Sequence, residues 1–533
     1  MAPALATELA AALAPDSVIA VIGSGAMGAG IAQVVAAAGF PVRLFDQRAG
    51  AVDGAIARVK AQYARLVEKG AMRPDALDAA GARLQGVPRI DDVAGAALVI
   101  EAIVEDLDAK RHLFAKLEAV VDAHTILATN TSSLSVTAIG SRLQHPGRLV
   151  GMHFFNPVPQ MALVEIVSGL ATDCEVAATA FATAAAWGKE PVHARSTPGF
   201  IVNRVARPFY AEALRLLSEQ AADPATIDAL LRDAGGFRMG PFELMDLIGH
   251  DVNLAVTRSV HDAYYGDPRF TPSVIQQELV DAGYLGRKSG RGFYSYASDA
   301  SKPQARSEPA RPHPPSVSVS HGGGPIMALL EARLQAVGVE VDHLAGDSPA
   351  LHCKRAAIYL TDGRSATERA AASHHPNTVL ADWCHPHATR IALARSDQCS
   401  LEAWQAAVGL FQAAGFDVTS IDDVPGMVVM RTVAMLANEA ADAVNGGVCS
   451  AAAVDLAMRR GVNYPHGPLA WAEGIGLAHV ATVLANLAAS YGEDRYRVSS
   501  LLRRKVAGGG RFHDPGDPTH ARETNAQTTG NLT

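Results

Sequence analysis

A histidine and a glutamate twelve positions apart, His153 and Glu165, are the residues of this chain best suited to chemistry. They lie in His153-Phe-Phe-Asn156-Pro157-Val-Pro-Gln-Met-Ala-Leu-Val-Glu165, where a proline-broken turn separates two apolar runs. A lone histidine in an apolar strand is usually a satisfied core residue. A carboxylate inside Leu-Val-Glu-Ile-Val is different, because a buried acid has to be paired. The economical partner is the imidazole of His153. Such a bond fixes the tautomer and stabilises the imidazolium, so the ring can take a proton near neutral pH. A base of that kind takes the proton of an alcohol while a hydride acceptor beside it oxidises the carbon, and upstream stands the glycine fingerprint Gly23-Ser-Gly25-Ala26-Met27-Gly28.

The elements that must position these groups follow from the hydrophobic pattern. Val18–Ile22 is a continuous apolar run, as a buried parallel strand requires. It leads into the glycines, then a small-residue helix over 26–38 closed by Gly39, then a strand over 42–45 that stops at Asp46. Gly23 permits the tight turn, Gly25 admits the pyrophosphate, and Gly28 lets the helix pack on the sheet, with Ala26 and Met27 at the helix start offering N–H groups to the phosphates. Glycines alone are a weak signal; strand, glycines, helix, strand and terminal acid in order are a dinucleotide-binding unit. Asp46 would bond the adenine ribose and repel a 2′-phosphate, which favours NAD over NADP, while Arg43 and Arg48 work against that preference.

Two further apolar strands, 98–101 and 125–129, bring Glu101, Glu105, Asn130, Thr131, Ser132 and Ser133 to the carboxyl ends of the sheet, where ligands bind in such folds. On their own, Glu105 and Lys110 read as an exposed first helical turn. Residues 148–155 and 162–167 read as the strands that carry His153 and Glu165.

At these residues the chain resembles the L-3-hydroxyacyl-CoA dehydrogenase family. The matching segments are Ile22–Gly30, Val99–Glu105, Asn130-Thr-Ser-Ser133, His153-Phe-Phe-Asn-Pro157, Pro198-Gly-Phe-Ile-Val-Asn-Arg204 and Met239-Gly-Pro-Phe-Glu-Leu244, spread over residues 17–296. The resemblance implies that His153 is the general base, Glu165 its partner, and Ser132 and Asn203 the groups flanking the substrate carbonyl. It implies NAD contacts at Asp46, Glu105, Lys110 and Asn130, which raises Glu105 and Lys110 above the bland reading. It also implies oxidation of an (S)-3-hydroxyacyl-CoA. For the CoA phosphates the basic stretch Arg58, Lys60, Arg65, Lys69 is the candidate, Lys69 first; a solvated helix face is its rival.

The chain is twice the length these motifs need. Pro198-Gly199 recurs as Pro425-Gly426, 227 residues on, and the same offset relates Arg204 to Arg431, Glu212 to Glu439, Asp228 to Asp455, Gly240-Pro241 to Gly467-Pro468 and Ile248-Gly249 to Ile475-Gly476. One constant spacing over fifty residues signals a duplicated helical domain. Asn203 becomes Met430 in the second copy, and the stretch before it shows neither a glycine fingerprint nor a segment like HFFNP, so the second half reads as structural. The expected fold is an α/β Rossmann-like NAD domain over 1–195, an all-α helical domain over 196–296, a flexible linker over 297–325, a degenerate small α/β domain over 326–420, a second helical domain over 421–512 and a disordered tail over 513–533. Long bacterial members of the family, including those of phenylacetate degradation, share this layout, which implies 3-hydroxyadipyl-CoA or 3-hydroxybutyryl-CoA as substrate. The family's helical domain usually dimerises, which implies a homodimer or higher homo-oligomer.

Composition agrees with a globular enzyme: 49% of residues are hydrophobic and 19% charged. A net charge of −8 gives no general attraction to nucleic acid or to an anionic membrane. The Ala-rich opening has no Lys or Arg before Arg43, and no apolar run is long enough for a membrane span. Five scattered cysteines fit a reducing cytoplasm better than a disulfide framework. Cys384-His385-Pro386-His387 invites a zinc reading, but no second ligand pair stands at suitable spacing, so no metal is expected. The rival readings are a sugar-acid dehydrogenase on the same fold and an NAD-binding protein without catalysis. The joint presence of His153, Glu165, Ser132 and Asn203 weighs against the second. A multifunctional β-oxidation chain is disfavoured because no hydratase-length segment precedes the fingerprint.

Overall fold

A computed structural model describes residues 11–320, 324–344 and 350–513. The expected tail lies outside the described residues from position 514 on. Two compact units result. One comprises the described residues up to Arg204 together with Gly446–Val462; the other comprises Val205–Asn445 and the described residues from Asn463 on.

The first unit is built on β1 (Ile19–Ile22), β2 (Val42–Phe45), β3 (Leu84–Gly86), β4 (Leu98–Glu101), β5 (Ile126–Thr129), β6 (Leu149–Phe154), β7 (Leu163–Ser168) and β8 (Glu190–Arg195). Their order across the sheet is β3-β2-β1-β4-β5-β6-β7-β8. The central strands read as unbroken apolar runs because both faces are covered; all four residues of β1, β4 and β5 are buried. β1 has parallel neighbours β2 and β4 on its two sides, so the chain changes direction across the sheet there. That switch point opens the crevice in which α/β folds take ligands. The helix Ala26–Ala37 packs closely over it because its inner positions are small: a Cβ on Gly30 would fall 2.9 Å from Val158 Cβ. β6 and β7 form the antiparallel pair of the sheet, in a register that sets His153 directly opposite Glu165.

The second unit carries its own sheet: β9 (Ser316–Ser320), β10 (Glu340–Leu344), β11 (Ala350–Cys353), β12 (Ala356–Leu360), β13 (Thr378–Ala381), β14 (Arg390–Arg395) and β15 (Asp417–Ser420), ordered β10-β9-β11-β12-β13-β14-β15. β9 corrects the reading of 297–325 as a flexible linker. The prolines there lack donors, but the carbonyls still accept: Gln412 donates to Glu308 O (3.2 Å) and Pro309 O (3.1 Å), and Arg390 to Arg306 O (3.0 Å). A Cβ on Gly409 would meet Pro312 O at 2.3 Å, so the segment lies tight on the helix Leu401–Ala413.

The helices of this unit centre on Arg207–Ser218 and Val429–Asn445, joined by a buried ionic network. Arg431, wholly buried, donates to Glu212 Oε2 (2.8 Å), to Glu219 (2.9 and 3.1 Å) and to the hydroxyls of Tyr491 (2.8 Å) and Tyr496 (2.7 Å). The duplication shows as reciprocity. Tyr496 donates to Glu212 Oε2 at 3.0 Å, and Arg269 to Glu439 Oε2 at 3.0 Å; both members of the second pair are displaced by 227 from those of the first. Asp422 N donates to Ala221 O (3.0 Å) here, while in the first unit Arg195 N donates to Val448 O (2.8 Å), again with both members displaced by 227. Within the helical unit, the exchange shown by the Glu212–Tyr496 and Arg269–Glu439 pairs is the signature of an isologous packing of the two helical copies.

Candidate active site

The glycine loop is explained by close approach. Gly23 has φ +105°, and a Cβ on it would lie 2.5 Å from Ala102 O; a Cβ on Gly28 would lie 1.9 Å from Gly23 O. A Cβ on Gly25 would meet no protein atom within 4 Å, so that glycine answers to what must approach from outside the protein. At the end of β2, Asp46 Oδ2 accepts from Ser24 N (2.8 Å) and Ser24 Oγ (2.7 Å), and Arg48 grips the carboxylate through Nε and Nη2, each at 3.0 Å. The Arg48 guanidinium is the main reason the Asp46 carboxyl sits far below the usual range. Arg43, expected to share this corner, instead donates to the carbonyls of Asp92 (3.0 Å) and Ala94 (2.7 Å). Its place is taken by Arg58, whose Nη2 reaches Ser24 O at 3.4 Å.

Beyond β4 and β5 lies a second charged group. Lys110 is 1% exposed and bonds Glu101 Oε1 at 2.6 Å and Glu105 Oε2 at 3.2 Å, so it is no solvated helix face. Glu105 Oε1 accepts from Thr131 Oγ1 (2.6 Å), Ser132 N (2.9 Å), Ser133 N (3.1 Å) and Ser133 Oγ (3.0 Å). Burial works to raise the Glu105 pKa, but these donors and Lys110 hold it below the usual value. Asn130 Oδ1 accepts from Phe154 N at 2.8 Å, tying the end of β6 to β5.

On β6, His153 Nδ1 bonds Glu165 Oε2 at 2.6 Å, with the His153 side chain 7% and the Glu165 side chain 0% exposed. The rings of Phe155 and Phe200 lie 4.5 and 5.8 Å from the imidazole, centre to centre. The other carboxylate oxygen accepts from Ile201 N (3.1 Å) and Val202 N (2.9 Å), so Glu165 also anchors the first turn of the helix that carries Asn203. Phe200, just before it, has φ +47°, a left-handed conformation that costs a non-glycine residue about 1 kcal/mol and that this anchoring maintains. Asn203 Nδ2 reaches Ser132 O at 3.3 Å. Contacts thus link Glu105, Ser132, Asn203, Glu165 and His153 in one chain. Lys69 stands apart, exposed at the end of the helix Ala51–Glu68.

A buried carboxylate–imidazole pair beside a dinucleotide loop is the equipment of an alcohol dehydrogenase, and comparison with known proteins names the kind. Residues 18–197 match the 3-hydroxyacyl-CoA dehydrogenase NAD binding domain; 199–296 and 426–513 match the C-terminal domain of the same family. Residues 358–425 match the 3-hydroxybutyryl-CoA dehydrogenase reduced Rossmann-fold domain. The chain is 44% identical to 3-hydroxyadipyl-CoA dehydrogenase of Escherichia coli (strain K12) over 488 residues, which is 92% of this chain and 97% of that one. It belongs to the 3-hydroxyacyl-CoA dehydrogenase family. A crystal structure of 3-hydroxybutyryl-CoA dehydrogenase from Escherichia coli K12 superimposes with a TM-score of 0.85 at 42% identity, covering 92% of this chain and 98% of that one. A probable 3-hydroxybutyryl-CoA dehydrogenase of Bacillus subtilis is 41% identical over 278 residues, 52% of this chain and 96% of that one. The family makes this chain an NAD-dependent oxidoreductase.

The second sheet holds a positional counterpart of HFFNP that has lost the motif's residues apart from the proline. Asp382-Trp-Cys-His-Pro386 follows β13 as His153-Phe-Phe-Asn-Pro157 ends β6. Asp382 N donates to Ala392 O (3.0 Å), and Ala392 stands 227 residues after Glu165. The acid has changed strands and the imidazole is gone. Asp382 accepts from Val428 N (3.0 Å), Val429 N (2.7 Å) and Met430 N (3.0 Å), the counterparts of Ile201, Val202 and Asn203, and Met427 repeats the positive φ of Phe200 at +56°. Burial raises the Asp382 pKa to about 6 against the pull of those N–H groups. The acid's contact with the helix start persists where its imidazole partner does not. Cys384, next along, is buried, and burial pushes its thiol up to about 12.

Two features of the site carried no local sequence signal. Lys189 is buried and donates to Val158 O (2.6 Å) and Met161 O (2.8 Å), pinning the turn between His153 and Glu165. Residues 446–462, from the second helical copy, belong to the unit that holds His153. A Cβ on Gly461 would fall 2.7 Å from Leu163 Cδ2 and 3.0 Å from Val202 Cγ2, and Arg460 pairs with Glu190 at 3.0 Å.

Proposed function

We propose that the enzyme oxidises an (S)-3-hydroxyacyl-CoA, 3-hydroxyadipyl-CoA or 3-hydroxybutyryl-CoA, with His153 as general base. The observation that carries this reading is the 2.6 Å bond between His153 Nδ1 and the wholly buried Glu165. With Nδ1 committed to the carboxylate, Nε2 is the nitrogen left to take the substrate's hydroxyl proton, and Glu165 stabilises the imidazolium that forms. NAD bound at the glycine loop supplies the hydride acceptor for the hydrogen leaving C3. Ser132 and Asn203 hold the oxygen as it becomes a carbonyl. Gly23, Gly25, Ala26, Met27 and Gly28 cradle the pyrophosphate, Asp46 takes the adenine ribose, and Glu105, Lys110 and Asn130 shape the nicotinamide side. The fit of loop and acid to a dinucleotide supports these roles. Lys69, at the end of the helix that carries Arg58, Lys60 and Arg65, is the proposed CoA phosphate contact; its exposure supports that reading. An assay of NADH absorbance with acetoacetyl-CoA as the reverse substrate tests the reaction: turnover that requires NADH and acyl-CoA supports it, and none at micromolar enzyme refutes it.

The same reading places the enzyme in fatty-acid or phenylacetate catabolism, in keeping with the name of its Escherichia coli relative and the shared length. Five free cysteines favour the cytoplasm. The boundaries 1–195, 196–296, 326–420 and 421–512 remain the proposed domains, with the second helical copy standing where a partner subunit's helical domain stands in short family members. The reciprocal contacts displaced by 227 support that placement. A homodimer or higher homo-oligomer is proposed on top of this duplication, supported by the exposed Leu247, Ile248 and Val252. Light scattering of the full chain, and of one lacking 300–533, tests both: a soluble, active truncation of unchanged assembly state refutes the partner role.

A further inference from the structure

Asp46, the proposed acceptor of the adenine ribose, has its oxygens filled from within the protein. Oδ2 accepts from Ser24 N (2.8 Å), Ser24 Oγ (2.7 Å) and Arg48 Nη2 (3.0 Å). Oδ1 accepts from Arg48 N (2.9 Å) and Arg48 Nε (3.0 Å). A carboxylate offers about four lone-pair sites, so these five donors leave none for a ribose hydroxyl. The Asp46 side chain is only 6% exposed, whereas that of Arg48 is 68% exposed.

The five donors are not alike. Ser24 belongs to the glycine loop and ties Asp46 to it, and Arg48 N closes the turn that an aspartate makes with the backbone two residues on. These three place the carboxylate. The other two come from the guanidinium, one to each oxygen. Such a fork presents paired N–H donors to a carboxylate, as the adjacent 2′- and 3′-hydroxyls of a ribose present paired O–H donors. The guanidinium therefore stands where the diol has to bond. An ion pair with one member this exposed contributes little, so it is readily given up. Arg58, the neighbouring cation, reaches the loop instead, at Ser24 O (3.4 Å).

We propose that Arg48 plugs the ribose subsite: its guanidinium occupies the Asp46 oxygens that the adenine-ribose diol needs, and leaves them when NAD binds. The inference rests on the reading of Asp46 as the ribose acceptor. Displacing the plug costs part of the binding energy, so Arg48 weakens NAD. For NADP the sign reverses, because a cation held against Asp46 cancels the charge that repels a 2′-phosphate. Arg48 thereby sets how sharply the site tells the two cofactors apart.

Calorimetric titration of the full-length enzyme with NAD and with NADP tests this in the wild type, Arg48→Met, Arg58→Met and Asp46→Asn. Methionine at 48 keeps the backbone N–H that positions Asp46 and removes the fork. In Arg48→Met the NAD dissociation constant is expected to fall about 3- to 10-fold, the range of a charged hydrogen bond gained against an exposed pair lost. That for NADP should rise by about the same factor, so the ratio of the two widens about 10- to 100-fold. Arg58→Met should not tighten NAD, and Asp46→Asn should weaken it at least about 10-fold. Unchanged or weaker NAD binding in Arg48→Met, or equal tightening in Arg58→Met, overturns the plug, while the loss in Asp46→Asn keeps the ribose reading. NAD affinity unchanged in Asp46→Asn overturns the ribose reading and the plug with it.

Discussion

Glu165→Gln keeps size and shape while removing one charge, and the geometry says which way the amide must turn. Glu165 accepts three bonds, from His153 Nδ1 (2.6 Å), Ile201 N (3.1 Å) and Val202 N (2.9 Å). A glutamine has one oxygen. Turned to the imidazole, it would leave two buried backbone N–H groups facing an NH₂, at about 1–3 kcal/mol each. Turned to the backbone, it presents NH₂ to Nδ1 and leaves one mismatch, which the ring relieves by moving its proton to Nε2. The second arrangement is favoured by about 2–6 kcal/mol, the difference of two unsatisfied groups. The variant should therefore fold nearly normally with the wrong tautomer, its Nε2 a donor where a base is required. The expected loss in kcat is about 10³-fold, with no more than about 2 kcal/mol lost in stability. Steady-state reduction of acetoacetyl-CoA, followed by NADH absorbance, measures the first, and urea unfolding the second. A kcat within about threefold of wild type in a folded variant would refute the role of the pair.

Other substitutions probe the frame around the site. Gly28→Ala places a methyl 1.9 Å from Gly23 O, so NAD affinity should fall at least about 100-fold in a fluorescence titration; near-normal binding would remove the loop from the cofactor site. Arg431→Met takes the shared cation from buried Glu212 and half-buried Glu219 and should cost about 3–5 kcal/mol in urea unfolding, whereas a cost below about 1 kcal/mol would contradict the network. Asp382 has a folded pKa of about 6, above its value of 3.8 in the unfolded chain, so the unfolded state binds fewer protons between pH 4 and 6 and stability falls as pH rises through that window. Relative to Asp382→Asn, the wild type should lose about 3 kcal/mol between pH 4 and 6 and then level off; unfolding midpoints that track each other at every pH would exclude the effect.

Much of the catalytic sheet was legible because its determinants are local. Apolar runs ending in chemistry-bearing residues located β1, β2, β4 and β5 to within a residue or two, and one buried glutamate pointed to one histidine. What escaped depended on tertiary structure or on broken spacing. Ser316–Ser320 looks like linker because its serines and valines lack bulk, yet the alternation suffices once β10 and β11 pair with it. The Asp382–Pro386 counterpart of HFFNP lies 229 residues after His153, two beyond the constant offset, and shares only its proline with the original. Arg43 leaves the corner beside Asp46 because the carbonyls of Asp92 and Ala94 capture it, and Arg58 reaches Ser24 there, contacts between distant segments that no local pattern announces. The packing of Gly461 on Leu163 and Val202 is of the same kind: a small residue in a helix reads as unremarkable until the strand it touches is known.

The account stands on a proton leaving the substrate hydroxyl for His153 as hydride leaves C3. Rapid-mixing single-turnover oxidation of (S)-3-hydroxybutyryl-CoA by His153→Ala, with NAD affinity measured on the same preparation, tests it most directly. The prediction is a hydride-transfer rate lower by about 10²- to 10⁴-fold with the NAD dissociation constant within about twofold of wild type. Hydride transfer at the wild-type rate in that variant would contradict it.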